Sequence, residues 1–366
     1  MTSAFALLPE PPRTPTLSRL LGRLGRVGLA GVLDDLDRDA VPCEVPGEAP
    51  VEGFTWQDAD RDDPRWYPQG VTVPLTADGR DVLLVSWYAH RDRWGRTPGS
   101  RITVVDRTDP SRPRYRHVLL VDTASRLGRL RLRRVPVHAG GISVHGGLLH
   151  VADTHAGVRV FDLDDVVRLP RRTIDALLPW AGAGTRTIGH RLLGGFTAFG
   201  YTYVLPQRDS FRAARPSGAR SLRYSFLTAG PVGDGEQLVV GEYGRKGQTS
   251  RLVQYPLDPQ THLPRVSDDG RCEALALHED QPPRMQGVAV AQGRWFVTAS
   301  TGEGNPGDLW VGAPGAFRRH RGVLPTGPED LDTTADGTRI WCATEWPGRR
   351  FVFCLDPTSW AGPERS

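Results

Sequence analysis

Residues 328–346 read PEDLDTTADGTRIWCATEW, and residues 350–356 follow with RFVFCLD. Apolar runs flank Asp336-Gly337, and an Asp-Gly pair between such runs predicts a tight β-hairpin. Residues 68–90, PQGVTVPLTADGRDVLLVSWYAH, repeat the plan, with RITVVD after them. The turn Thr334 to Gly337 reappears there as Thr76 to Gly79. Three more units follow the same grammar. Residues 138–155 read HAGGISVHGGLLHVADTH before VRVFD, residues 223–244 read RYSFLTAGPVGDGEQLVVGEYG before RLVQYPLD, and residues 285–301 read MQGVAVAQGRWFVTAST before DLWVG. Units of three or four short strands repeated in this way predict an all-β fold of the β-propeller type. We count five blades, with six as the alternative. The last unit ends near Leu355, so a strand around Val51 to Trp56 is expected to complete it and close the ring, leaving no bare sheet edge.

This reading makes residues 1–50 an N-terminal extension and residues 51–366 one propeller domain, with an insert at about 163–222. The extension should carry a short amphipathic helix within 16–33, after a mobile, proline-rich start at 1–15. The insert holds Trp180, His190, Arg208, Arg212 and Arg215, and is a candidate lid or interaction surface. Gly and Pro number 42 and 31 of 366 residues, the turn material such a fold needs. Lys246 is the only lysine and Asn305 the only asparagine, a bias toward GC-rich codons. With a net charge of +4, the arginine excess is not evidence for nucleic-acid binding. The densest basic run, Arg126 to Arg134, alternates with Leu130 and Leu132 and reads as a strand with one solvated face.

No run of about 20 apolar residues exists to span a membrane. Val27 to Leu33 is short for a signal-peptide core and runs straight into Asp34 and Asp35, so cytoplasm is the expected compartment, with secretion as the alternative. Cys342 and Cys354 flank the Trp346-Pro347-Gly348 turn symmetrically and are expected opposite each other, either bridged or as free thiols. Asp58 to Asp62 starts like a calcium loop but lacks the required Gly and Glu, and reads as a solvated acidic turn.

The phrases PQGVT–SWYAH, GGIS–ADTHAGVRVFDL, RYSFL–VVGEYGR, MQGV–FVTASTG–DLWVG and PEDL–ATEWPGRR resemble a group of bacterial propeller proteins from high-GC genomes, some described as secreted. The resemblance covers roughly residues 65–355. It implies the fold and brings no catalytic residue with it.

In a propeller, the starts of first strands and the ends of second strands share one mouth of the central channel. Those positions hold Gln69, His138, Tyr224, Gln286, Glu329 and Asp330, and then Trp87, Tyr88, His90, Asp153, His155, Glu242, Tyr243, Glu345 and Trp346. Hairpin counting sets His138 opposite His155, and Glu345 across from Pro328. Carboxylates and imidazoles in a desolvated funnel suit acid–base work, and aromatic walls suit an apolar or cationic substrate. Glu329, Asp330, His138 and His155 are the expected catalytic groups. Gln69, Trp87, Tyr88, Tyr224, Glu242, Tyr243, Gln286, Glu345 and Trp346 are the expected substrate contacts. The cofactor is either none or a divalent metal, for which His138, Asp153 and His155 are the candidate ligands.

The function expected is a lyase, isomerase, cyclase or hydrolase acting on a small, partly apolar natural product. The alternative is a non-catalytic propeller that binds a carbohydrate, peptide or protein. Each acid also has a plainer reading as the partner of an arginine.

Overall fold

The Asp336-Gly337 turn closes the hairpin it predicts, with Gly337 at φ 66°. Pro328–Thr333 runs antiparallel to Ile340–Thr344, which pairs in turn with Phe351–Leu355. Pro50–Thr55 pairs with Phe351–Leu355 as the next strand. In this computed structural model residues 4–74, 78–170, 188–190 and 195–360 are described. Among them, four further runs of four strands, called sheets below, follow the same up-and-down order, and the first two are joined into one sheet where Val204 to Pro206 pairs parallel with Leu119 to Val121. The first runs Trp66–Thr72, Val82–Ala89, Ser100–Asp106 and Arg114–Arg126. The second runs Ile142–His145, Leu148–Asp153, Gly157–Asp162 and Tyr203–Ala214. The third holds Phe226–Val232, Gly235–Gly241, Leu252–Pro256 and Ala276–His278. The fourth holds Met285–Ala291, Arg294–Ala299, Pro306–Gly312 and Arg318–Thr326. The arrangement is all-β and propeller-like.

First strands of successive sheets lie side by side, and Pro328–Thr333 of the fifth sheet returns against Trp66–Thr72 of the first. Glycines permit that crowding. A Cβ on Gly70 would stand 2.7 Å from the Ile142 nitrogen, and one on Gly287 would stand 2.5 Å from the Asp330 Cα. The glycine after Gln69 and Gln286 is therefore a packing requirement of the centre.

The N-terminal segment departs from expectation. Ala6–Pro9 is a strand on Phe211–Ala214, buried at Ala6 and Leu7, with Phe5 and Leu7 filling the gap beside the second and third sheets. The expected helix is two helices, Thr14–Leu24 and Gly28–Leu33, parted at Gly25 with φ 73°. Leu17, Leu20 and Leu21 recur at helical spacing and are buried, each stabilising by roughly 1.5–3 kcal/mol relative to exposure. The region read as an insert ends in Tyr203–Ala214, the fourth strand of the second sheet. Trp180 and the His190 side chain lie outside the described residues, and Arg208 pairs with Asp162 at 2.8 Å.

Arg129–Arg134 is the expected half-buried strand, with Leu130 and Leu132 inside. The four cysteines are free. Cys342 pairs in register with Phe353 and Cys354 with Trp341, so the two thiols point to opposite faces of the sheet and belong to different core clusters. Counting from the turn missed this by one residue, which in a strand reverses the face. No described helix is long and apolar enough to cross a membrane.

Asp58–Arg61 is a helical turn whose Asp60 is 4% exposed, in place of the solvated acidic turn expected. Its carboxylate accepts from Arg38 at 2.8 Å, Tyr115 at 2.7 Å, His117 at 3.1 Å and Arg101 at 3.3 Å. These partners hold it far below the usual carboxylate range. Local composition could not show this, since the donors come from other strands.

Candidate functional site

A bulge in Pro328–Thr333 builds the core of the site. Leu331 pairs with Cys342 and Pro328 with Thr344, so Glu329 and Asp330 together face the single residue Ala343. In regular pleat one of the two acids would turn away; here they are 2% and 0% exposed. Glu345, just after the second strand, is half-buried and reaches Glu329. The two carboxyl groups lie within reach of each other, a contact that raises Glu329 and lowers Glu345. Gln286 Nε2 donates to Glu329 at 2.8 Å, and Gln69 Nε2 donates to Glu345 at 3.2 Å.

Burial and the neighbouring carboxylates push Glu329 well above the carboxylate range. Glu345, also desolvated but partly offset by the Gln69 hydrogen bond, the Glu329 contact and Arg350, is pushed up to about 6. Two acids with separated pKa values can hold one proton between them near neutral pH.

An aromatic and imidazole wall borders the pair. Tyr67 stacks on His90 with centroids 4.1 Å apart, His90 Nε2 meets the Tyr88 hydroxyl at 2.8 Å, and Tyr88 lies 4.1 Å from His138. Trp346 stands edge-on to Tyr67 at 6.4 Å. Burial and then the charges of Glu345 and Glu329 raise the Tyr88 hydroxyl, which therefore stays neutral and able to donate. His138 keeps solvent-accessible surface while the protein around it lowers its pKa to about 4. The ring is thus solvent-accessible and neutral at pH 7.

Glu329, Glu345, Gln69, Gln286, Tyr88 and His138 thus come together from the first, fourth and fifth sheets and the approach to the second. Other expected members do not join them. Trp87 and Tyr224 are fully buried, the first against Trp56 and Arg101 and the second against the Tyr255 hydroxyl at 2.8 Å. Glu242 is bound by Arg251 at 2.7 and 2.9 Å, and Tyr243 receives a hydrogen bond from Arg245 at 3.2 Å. Asp153 is tied to Arg159 at 2.8 Å, and His155 is exposed on a turn. Asp330 is sealed behind the pair, receiving the Ile142 N–H at 3.0 Å while its Oδ1 has no hydrogen-bond partner among the described residues. Burial raises it well above the carboxylate range, so it is a protonated packing group at neutral pH.

His138, Asp153 and His155 are not brought together as a ligand set. Among the described residues, no group of three or more His, Cys, Asp or Glu side chains is arranged to hold a metal ion. Sequence reasoning overlooked Tyr67 and Arg350. Tyr67 is two residues before Gln69, a spacing that could have suggested it. Arg350 donates to the main-chain oxygen of Glu345 at 3.0 Å and of Asp60 at 2.7 Å, which no local signal reveals.

No family model and no curated protein matches the chain. Among solved structures, a gluconolactonase of Xanthomonas campestris is similar at 12% identity, covering 87% of this chain and 88% of its own, with a TM-score of 0.39. The β-propeller domain of Cps50 (Swd1) from Myceliophteria thermophila is similar at 12% identity, covering 87% and 99%, with a TM-score of 0.37. A GH32 β-fructofuranosidase of Bombyx mori is similar at 11% identity, covering 92% and 65%, with a TM-score of 0.36. At these values the likeness assigns no residue a role.

Proposed function

We propose that this cluster is an acid–base active site acting on a small, partly apolar natural product, at the mouth of a five-bladed propeller closed by the Pro50–Thr55 strand. The observation that carries this reading is the Glu329–Glu345 carboxyl pair. Its two members are in contact and bordered by aromatic rings, and among the described residues no arginine side chain is bonded to either carboxyl group. Folding needs no such pair, and burying two acids against each other costs stability.

Glu345 is the accessible carboxylate and acts as the base toward substrate. Glu329, 2% exposed, stands behind it and holds the shared proton. The neutral Tyr88 hydroxyl donates to a developing oxyanion, and neutral His138 takes up or returns a proton on the other side. Proton removal beside a polarised oxygen supports isomerisation or loss of water, and the same groups could direct water for hydrolysis. These steps use proton transfer alone. The free thiols suit a reducing compartment such as cytoplasm.

The test incubates the protein with fractionated small-molecule extracts and follows them by chromatography and mass spectrometry. Wild type should deplete a compound in favour of a product of equal mass, or one differing by a water. Glu345→Gln should slow that conversion by about 10²–10⁴-fold with the melting temperature held. If no fraction changes, or Glu345→Gln converts as wild type does, the enzyme reading is lost and the propeller is a binding face.

A further inference from the structure

A separate cavity of about 290 Å³ lies on the outer flank of the first sheet, against residues 37–38 and the loop before Tyr203. Three guanidinium groups, Arg38, Arg101 and Arg116, line it together with His117, Tyr201 and Asp37. Arg101 is 4% exposed and gripped between rings, its Cζ 4.3 Å from the Trp66 centroid and 4.7 Å from that of Trp87. Its polar contacts are long, 3.3 Å to the Tyr201 hydroxyl and 3.3 Å to Asp60, and its Nε has no partner among the described residues. A buried guanidinium offers five donors and is costly to leave so loosely bonded.

Asp60 cannot supply more, because it also serves Arg38, Tyr115 and His117. His117 stays neutral, its pKa lowered to about 3 by burial and Arg101. At the rim, half-exposed Asp37 sits 3.4 Å from Arg116 and 3.9 Å from Arg38, too far for strong ion-pair hydrogen bonds. Arg116 is tied as well to Asp35 at 3.2 Å. A protein carboxylate thus already stands loosely in front of two rigid guanidinium groups, with a third behind.

We propose that this cavity binds a small oxyanion, a carboxylate or phosphate group, which displaces Asp37 and is held by Arg38, Arg101 and Arg116. Arg101 needs no rearrangement, since the tryptophan rings fix it before the ligand arrives. Asp60 and Asp35, the latter shared with Arg168 at 3.2 Å, offset only part of the positive charge.

Calorimetric titration and thermal melts of the full chain would compare sodium phosphate, sodium acetate and sodium chloride at equal ionic strength. Saturable heat and a raised melting temperature with phosphate or acetate, but not chloride, are expected, and the more effective anion names the group preferred. Arg116→Gln should weaken binding about tenfold or more, whereas Asp37→Asn should tighten it by removing the internal competitor. The proposal is overturned if neither oxyanion binds saturably, or if Arg116→Gln and Asp37→Asn, both folded, bind as wild type does.

Discussion

In the third sheet Glu242 follows the end of the second strand and Arg251 precedes the third; in the fifth sheet Glu345 and Arg350 hold the same two places. The outcomes are opposite. Arg251 grips the Glu242 carboxylate with two bonds, and the pair is sealed. Arg350 reaches only the main-chain oxygen of Glu345 and is drawn to Asp60 and under Tyr67, which frees the Glu345 carboxylate for Glu329. The second sheet repeats the first outcome, with Asp153 on Arg159. One place in the repeat is therefore tied down or left untied according to where its arginine goes.

The sharpest way to break that contrast is Arg251→Ala. It strands a fully buried carboxylate and removes donors to the Arg220 and Ser221 carbonyls, and should cost about 3–5 kcal/mol in denaturant melts. A loss under about 1 kcal/mol would show that Glu242 is no strut.

The effect of pH comes next. Glu345 is raised from 4.5 to about 6 in the folded state, so the native protein binds its proton more tightly than the unfolded chain does. Its contribution is complete below 4.5 and disappears as pH rises through about 6, roughly 2 kcal/mol in all. Buried neutral histidines such as His117 impose an opposite trend at low pH. The informative quantity is therefore the stability of wild type minus that of Glu345→Gln, which should fall between those pH values. A flat difference would sink the shared-proton picture.

Arg159→Ala should have the smallest effect, at most about 1 kcal/mol, because that pair is partly exposed. Its thermal melt would grade the second sheet between the other two.

Much of this was legible in the sequence. The hairpins, the half-buried arginine strand and the convergence of Gln69, Tyr88, Gln286, Glu329 and Glu345 followed from repeat grammar alone. Other features escaped it, three of them for reasons of register or distance along the chain. The bulge at Glu329-Asp330 shifts register by one residue, which turn counting cannot detect. The Cys342–Cys354 pairing failed because the turn is centred between Pro347 and Gly348, in a ladder that has no bulge. Asp60 read as solvated because Arg101 and His117 are far along the chain.

By itself the sequence determined the strands, their turns and the mouth toward which polar residues point, since alternation and Asp-Gly turns act between neighbours in the chain. Only the tertiary structure decided which acids are satisfied. A buried carboxylate takes its character from donors that folding brings from other strands, and with arginine at so many positions each repeat places the same residue types in reach. Glu242 and Glu345 are alike in sequence, and they differ because one arginine closes on its acid and the other turns away.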